Sequence, residues 1–412
     1  MRMIARRLVV VWALSAAVAH AGDWPQILGP GRDGKAAADE KLADRWPDTG
    51  PPVVWRKEVG AGYAGVAVVG DRAILFHRVA DRDLVEALDV RDGKTIWTDA
   101  EPTTFSPQVG GGDGPLCVPV VHDGKVITFG PQGVLTCLEA AGGRRLWTRR
   151  THREFGAQEG YFGAGSTPVV VGNGVIVNVG GTRQDAGIVA FALDTGETLW
   201  TKTAEPASYA SPVLARPAGE PHVLVVTRYA CLLLDPATGD IRWQFPFGQR
   251  GPTVNAATPL VLEGDRLFVT ASYGIGGICA AFDRATVRPV WQGQEPLATQ
   301  YCTPIAAGGH LYCIDGRDDM PPAELKCVEA ASGRVIWTEP NFGYGTLLFA
   351  DGKLVAAKTD GELVLLRANP AAVEVLARAR PLAGTVRGLP ALSGGRLYVR
   401  DDRTLICLAV AP

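Results

Sequence analysis

The sequence predicts an all-β fold, an eight-bladed β-propeller of four-stranded antiparallel blades whose last blade is closed by an N-terminal strand. Three observations predict this fold. An 11-residue element ending in tryptophan recurs along the chain, with 43 to 53 residues between successive tryptophans, and such a period of short strands is typical of propeller arrays. Apolar runs separated by turn residues fill each interval. The array also begins with an orphan strand and ends one strand short.

The recurring element has a physical reason for each of its residue types. A clear copy is ALDVRDGKTIW, which ends at Trp97. The glycine at the seventh place suits the positive φ of a tight turn, and the tryptophan at the eleventh fills the wedge between blades, with an indole N–H that needs a carbonyl. We therefore interpret these tryptophans as structural docking residues: Trp55, Trp97, Trp147, Trp200, Trp243, Trp291 and Trp337.

Each repeat is predicted to lay down four strands in the same order. A tight turn such as the one at Asp123-Gly124 joins the first two strands, which is a strong hairpin signal. The third strand carries the start of the recurring element, and the fourth carries its tryptophan. The first strands are predicted to start near eight residues: Val66, Cys117, Thr167, Ser211, Thr258, Thr303, Thr346 and Leu389.

The two ends of the array predict how the ring closes. The last repeat stops at its third strand, residues 404–410, and an orphan strand at residues 53–58 precedes the first repeat. Moving the orphan strand to the last blade completes eight four-stranded sheets and leaves no exposed edge in the ring. The seventh blade has Val375 where its tryptophan belongs, and we expect it to be the weakest seam.

The chain is predicted to have three parts. Residues 1–21 combine a basic start, a short apolar run and a small-x-small site ending at Ala21, which together predict a cleaved signal peptide. Residues 22–52 are predicted to be a mostly irregular lead-in lying over the propeller surface, and residues 53–412 a single propeller domain. We expect a periplasmic or secreted protein without lipid attachment or a membrane span after cleavage; an uncleaved anchor and a twin-arginine signal are the alternatives.

The composition narrows the classes of partner and site. Hydrophobic residues make up 47% of the chain, and the net charge is −2, which argues against a nucleic-acid or anionic-membrane partner. The eight cysteines include no C-x-x-C pair, so zinc and thioredoxin sites are not predicted. Cys313 and Cys327 are a candidate bridge across a hairpin in an oxidising compartment, with small buried apolar residues as the alternative.

The tryptophan-ending element resembles the docking motif of the pyrroloquinoline-quinone (PQQ) type β-propellers. This family includes quinoprotein alcohol dehydrogenases and the propeller lipoprotein of the outer-membrane β-barrel assembly machine. Asp23-Trp24-Pro25 followed by GPGRDG also resembles the opening of many secreted bacterial PQQ-like propeller proteins. The resemblance covers almost all of the mature chain and implies the fold more strongly than any function, because one fold hosts many activities.

The candidate ligand residues lie in loops before the first strands, which crowd one mouth of a propeller. Two of these loops are long, residues 99–115 and 151–166, and long loops on a rigid scaffold often carry function. Aromatic and charged side chains there suit a flat or sugar-like ligand, while wedging between blades is the alternative role of the tyrosines. The candidates are Tyr63, Tyr209, Tyr301, Tyr344 and Arg387, followed by Arg153 and Tyr161.

The sequence lacks the motifs of several enzyme classes. The resemblance to the dehydrogenases implies a calcium ion held by carboxylate and amide oxygens, a catalytic aspartate and often a disulfide between adjacent cysteines. The chain has no adjacent cysteines and no carboxylate cluster that can be placed beside an asparagine, and it lacks G-x-S-x-G and H-E-x-x-H. We therefore expect no catalytic residue, no metal and no cofactor.

The sequence as a whole predicts an exported, non-catalytic, monomeric PQQ-like propeller. We expect it to act as a binding or scaffold protein for a protein or glycan partner in the cell envelope. One alternative is a PQQ- and calcium-dependent dehydrogenase of alcohols or sugars. Another is a subunit that resembles the outer-membrane assembly propeller.

Overall fold

The strands of the protein form eight separate four-stranded antiparallel sheets arranged as the blades of a propeller. The structure is a computed structural model that describes residues 22–110 and 112–412. The signal peptide expected at residues 1–21 lies outside the described residues. Within those residues, no helix has both the length and the apolar character needed to cross a membrane.

The first strand of the chain, β1 (Val53–Glu58), belongs to the last blade, and blades 1 to 4 follow it in order. Each blade runs from an innermost to an outermost strand. Blade 1 is β2 (Ala67–Val69), β3 (Arg72–Val79), β4 (Arg82–Asp89) and β5 (Thr95–Pro102); blade 2 is β6 (Val120–His122), β7 (Lys125–Phe129), β8 (Val134–Glu139) and β9 (Arg145–Arg150); blade 3 is β10 (Val169–Val171), β11 (Gly174–Asn178), β12 (Ile188–Ala192) and β13 (Thr198–Lys202); blade 4 is β14 (Val213–Ala215), β15 (His222–Val226), β16 (Ala230–Leu234) and β17 (Ile241–Pro246).

Blades 5 to 7 repeat the pattern, and blade 8 takes its outermost strand from the start of the chain. Blade 5 is β18 (Leu260–Leu262), β19 (Arg266–Ala271), β20 (Gly276–Phe282) and β21 (Val287–Gly293); blade 6 is β22 (Ile305–Ala307), β23 (His310–Asp315), β24 (Glu324–Glu329) and β25 (Val335–Glu339); blade 7 is β26 (Gly345–Ala350), β27 (Lys353–Lys358), β28 (Leu363–Arg367) and β29 (Val375–Ala379); blade 8 is β30 (Ala391–Ser393), β31 (Arg396–Arg400), β32 (Thr404–Ala409) and β1. In the described part of the chain, one short helix, α1 (Thr151–Phe155), and 3-10 turns at Arg183–Asp185 and Pro217–Gly219 lie in the connections.

The ring closes as the sequence predicted. β1 pairs antiparallel with β32, with Trp55 opposite Cys407 and Lys57 opposite Leu405. The last sheet therefore has the order β1-β32-β31-β30. The N-terminal strand β1 occupies the position of the fourth strand in the other blades. The eight-bladed fold inferred from the repeats is confirmed.

The tryptophans join each blade to the next. The indole N–H of each docking tryptophan donates to a backbone carbonyl of the following blade, as from Trp147 to Leu193 at 2.9 Å and from Trp97 to Ala140 at 3.0 Å. The ring of Trp147 covers Gly196, which has a φ of 71° and whose added β-carbon would lie 2.7 Å from the indole. The turn glycine is therefore required both for its conformation and for the space it leaves.

The cysteine bridge considered from the sequence is not formed. Cys313 lies opposite Lys326, and Cys327 lies opposite Tyr312. The two cysteines occupy adjacent positions of the ladder, so their side chains point to opposite faces of the sheet. All eight cysteines are buried and free, so they act as small packing residues.

The lead-in, residues 22–52, is irregular, and its first part, residues 24–36, runs inside the ring and not over the propeller surface as expected. Trp24 makes a bridge with Val68 on the innermost strand of blade 1, and Ala36 donates its N–H to the carbonyl of Phe349 on the innermost strand of blade 7. Because innermost strands turn their free edges toward the propeller axis, residues 24–36 lie in the central channel, where Trp24, Ile27 and Leu28 are buried. The later residues contact blade 8: Glu40 accepts from the backbone N–H of Gly395 at 2.9 Å, and the carbonyl of Pro52 accepts from the N–H of Ala409 at 2.8 Å.

Candidate functional site

A pocket of about 960 Å³ opens at one mouth of the channel. It lies where the loops that enter the first strands meet the connections between second and third strands. Ile27 of the lead-in forms part of its wall, so the occupied channel ends beneath the pocket. Five of the seven candidate ligand residues line it together: Tyr63, Tyr161, Tyr209, Tyr301 and Arg387.

The remaining two candidates, Tyr344 and Arg153, lie outside the pocket. The hydroxyl of Tyr344 accepts hydrogen bonds from the backbone N–H groups of Tyr301, at 2.7 Å, and Cys302, at 3.1 Å. It is buried within the core between blades 6 and 7, which is the wedge role considered as the alternative. Arg153 is exposed on α1, where it does not line the pocket.

Several pocket residues were missed by the sequence reasoning because they do not precede a first strand. Tyr273 lies between β19 and β20, and Arg317, Asp318 and Asp319 lie between β23 and β24. In an antiparallel sheet the end of the second strand lies beside the start of the first. These connections therefore reach the same mouth, and their position in the repeat is the signal that could have identified them.

Arg387 links three blades at the mouth. Its guanidinium, which enters from the loop before blade 8, donates through Nε to Oδ2 of Asp318 in blade 6 at 2.8 Å. Its Nη1 donates to the hydroxyl of Tyr63 in the blade 1 loop at 3.3 Å, and the guanidinium carbon lies 5.2 Å from the centroid of the same ring. A charge-assisted hydrogen bond and a cation–π contact thus fix one arginine.

A second arginine is held in a similar way nearby. The Arg317 guanidinium carbon lies 4.3 Å from the ring centroid of Tyr273. Its Nε donates to Oδ1 of Asp319 at 2.9 Å. Gln300 donates to the hydroxyl of Tyr273 at 2.8 Å and accepts from the backbone N–H of Asp318 at 3.0 Å. The wall of the pocket is therefore preorganised by contacts among its own side chains.

Tyr301 carries a polar atom that this network does not use. Its ring packs edge-on against Tyr344 at a centroid distance of 4.7 Å. Its hydroxyl is buried and has no hydrogen-bond partner among the described residues. Burial raises the pKa of Tyr301 well above its usual range, and the neighbouring Asp318 adds to the effect. The hydroxyl therefore stays protonated.

The charged groups of the pocket do not suit a calcium ion. Among the described residues that line the pocket, Asp318 and Asp319 are the only carboxylates, and each already forms an ion pair, with Arg387 at 2.7 Å and Arg317 at 2.5 Å. Calcium takes six to eight oxygen ligands. Over the described ranges, 22–110 and 112–412, no three His, Cys, Asp or Glu side chains form a group able to hold a metal ion.

The amino-acid sequence is similar to a known protein family and to two kinds of known protein. A family model described as "Outer membrane protein assembly factor BamB" matches residues 81–339 and 321–411. A protein of that name from Burkholderia pseudomallei (strain K96243) is 26% identical over 298 residues, covering 69% of this chain and 68% of that protein. A quinohemoprotein alcohol dehydrogenase from Comamonas testosteroni is 28% identical over 197 residues, which cover 45% of this chain and only 26% of the enzyme.

Solved structures share the fold at low sequence identity. BamB from Moraxella catarrhalis superposes with a TM-score of 0.64 at 17% identity, over 87% of this chain and 99% of that one. The Comamonas testosteroni dehydrogenase superposes with a TM-score of 0.69 at 15% identity, over 96% of this chain and 82% of that one. At these sequence identities, the structural similarity shows only that the fold is shared. The match to the family model extends over most of the chain, which therefore belongs to the family described as outer membrane protein assembly factor BamB.

Proposed function

We propose that the protein is a non-catalytic propeller of the cell envelope that binds a protein partner at its mouth. The observation that carries the proposal is the composition of the pocket, which brings tyrosine and arginine side chains together on a rigid rim. Tyrosine and arginine are enriched among the residues that dominate binding energy at protein interfaces. Rigid aromatic side chains also supply contact area at a low cost in conformational entropy.

Family membership supports the choice of a protein over a glycan as the partner. The relative from Burkholderia pseudomallei is named as an assembly factor for outer membrane proteins. By analogy, we propose a periplasmic location and an assembly-factor-like role, in which the propeller holds a segment of another envelope protein. The signal peptide expected at residues 1–21 agrees with this location.

A PQQ-dependent dehydrogenase is the less well supported alternative. The similarity to the quinohemoprotein enzyme spans only 26% of that enzyme's length, and both pocket carboxylates are paired with arginine. We therefore propose that the protein works without a cofactor. Dye-linked oxidation of alcohols or sugars by the purified protein, after addition of PQQ and calcium, would overturn the non-catalytic proposal.

The test of partner binding uses two residues that stack on each other at the mouth. Replacing both Tyr273 and Arg317 by alanine removes a ring, a charge and their mutual contact without touching a core residue. Capture of a protein from the native envelope, followed by measurement of its affinity, should give a Kd at least tenfold weaker for the double variant, about 1.4 kcal/mol.

The matched control is Arg153→Ala, which removes an exposed arginine outside the pocket and should bind like the unmodified protein. Thermal melting shows whether a loss of binding comes from the missing contacts or from unfolding of the variant. A double variant that melts normally and captures the same partner with unchanged affinity would place the interface elsewhere, most simply on the outer edges of the blades.

A further inference from the structure

Three tyrosine hydroxyls of the pocket accept a hydrogen bond and donate none to the described residues. The hydroxyl of Tyr63 accepts from Arg387, and that of Tyr273 accepts from Gln300. The hydroxyl of Tyr209 accepts from the backbone N–H of Phe162 at 3.0 Å. A phenol that accepts still has its own proton to donate, and none of these three hydroxyls donates to another described residue.

Tyr161, which also lines the pocket, adds a fourth unused proton, because none of the hydrogen bonds of the described residues involves its hydroxyl. A ligand oxygen that accepts from these hydroxyls would use protons that the protein leaves free. Burial also raises the pKa values of Tyr209 and Tyr273, which keeps their hydroxyls protonated.

The two carboxylates of the pocket are paired with arginines, whereas Arg250 has no carboxylate partner among the described residues. Asp318 is paired with Arg387, and Asp319 with Arg317. Arg250 lines the pocket with its guanidinium carbon 5.9 Å from the ring centroid of Tyr229, and none of the salt bridges among the described residues includes it. The pocket thus offers protons from four hydroxyls and a net charge of one positive unit, so its complement is a ligand rich in acceptors and negative in charge.

We infer that the mouth recognises an acidic peptide segment, a loop or terminus whose carboxylates meet Arg250 and the tyrosine hydroxyls of the pocket. This inference rests on the proposed function and names the chemistry of the partner. The pocket volume of about 960 Å³ lies at the upper end of the roughly 300–1,000 Å³ found for ligand sites, which is large for a single small anion. Ile27, Leu116 and Leu389 line it as well and suit apolar side chains beside the acidic ones.

The first experiment selects peptides without knowledge of the natural partner. A displayed library of random heptapeptides is selected on the immobilised full chain, and the sequences retained are compared with the starting library. The selected peptides should be enriched in aspartate and glutamate. A selection that retains no peptide, or retains peptides without acidic enrichment, would overturn the inference.

The second experiment locates the contact. The tightest selected peptide, labelled with fluorescein, should bind Arg250→Gln at least tenfold more weakly than the unmodified protein. A peptide in which Asn and Gln replace the Asp and Glu residues should bind the unmodified protein more weakly by the same factor. Tyr161→Phe should weaken binding severalfold while melting normally, because the Tyr161 hydroxyl lines the pocket and makes no hydrogen bond among the described residues. Arg153→Gln is the matched control and should bind normally. Equal affinity for Arg250→Gln would contradict the inference.

Competition separates this inference from other ligands and from the proposed function. Full displacement of the peptide by inorganic phosphate, or tighter binding of a uronic-acid tetrasaccharide, would show that the pocket is built for a small anion or a glycan. A captured envelope partner that the acidic peptide fails to displace would support the proposed scaffold function and contradict the inference of an acidic ligand. Acidic peptides that bind at the mouth, with no envelope partner captured, would support the acidic ligand and contradict the scaffold function.

Discussion

At the scale of single residues, the docking tryptophans combine packing and hydrogen bonding in one side chain. Trp147 is 9% exposed and donates to Leu193 in the next blade. Replacing it by alanine should lower the free energy of unfolding by about 3–5 kcal/mol, the range for a buried large aromatic residue. Urea denaturation measures the change.

The comparison variant is Trp337→Ala. Trp337 also donates to a carbonyl, that of Asn369 at 3.1 Å, but its ring is only half-buried. Its replacement should therefore cost less. If Trp147→Ala unfolds at the same urea concentration as the unmodified protein, the indole is not a structural contact.

Asp83 gives a pH-dependent prediction at the same scale. It is buried between blades 1 and 2, and burial raises its pKa to about 7, against the opposing effect of Arg78. Because the folded state holds the proton more tightly than the unfolded chain, this group stabilises the fold at low pH. That contribution is lost as the pH rises from about 4 through about 7.

Asp83→Asn keeps the shape and removes the titration. Its free energy of unfolding, relative to the unmodified protein, should therefore increase by about 1 kcal/mol or more between pH 5 and pH 8, since one pKa unit corresponds to about 1.4 kcal/mol. Asp71→Asn, at an exposed position, serves as the control and should follow the unmodified protein. A difference that does not change with pH would contradict the burial argument.

At the scale of elements, strand β1 is the part on which ring closure depends. A chain that starts at residue 59 lacks β1, whereas a chain that starts at residue 53 lacks only the lead-in. The shorter chain should unfold at a lower urea concentration and over a broader range, because β32 is left with an open edge and the Trp55–Tyr398 contact, 5.9 Å between ring centroids, is lost. Identical unfolding curves for the two chains would show that β1 does not stabilise the ring.

The elements also show how far sequence reasoning reaches. The four strands of each blade were predictable because alternation, turn chemistry and the tryptophan spacing are local signals repeated many times. The boundaries of β1 were found for the same reason. By contrast, the lead-in has no period, and its place depends on partners far along the chain, such as Phe349 for Ala36. Nothing local encodes that position.

The mouth was only partly predictable for a related reason. The repeat pattern identified the tyrosines that recur at one of its positions, Tyr63, Tyr209 and Tyr301. Arg317 and Asp318 occur in one blade only, within a connection whose importance depends on its approach to Arg387 from another blade. An irregular contact of this kind has no counterpart in the other repeats and therefore no pattern in the sequence.

At the scale of the whole molecule, the pairing of β1 with β32 sets the order of events during synthesis. Val53 pairs with Leu408, so the first strand made must wait for one of the last. At roughly 5–20 residues per second, that delay is on the order of tens of seconds. Throughout it, the growing chain carries a strand without its neighbour, and this interval is when a chaperone would have the most to protect.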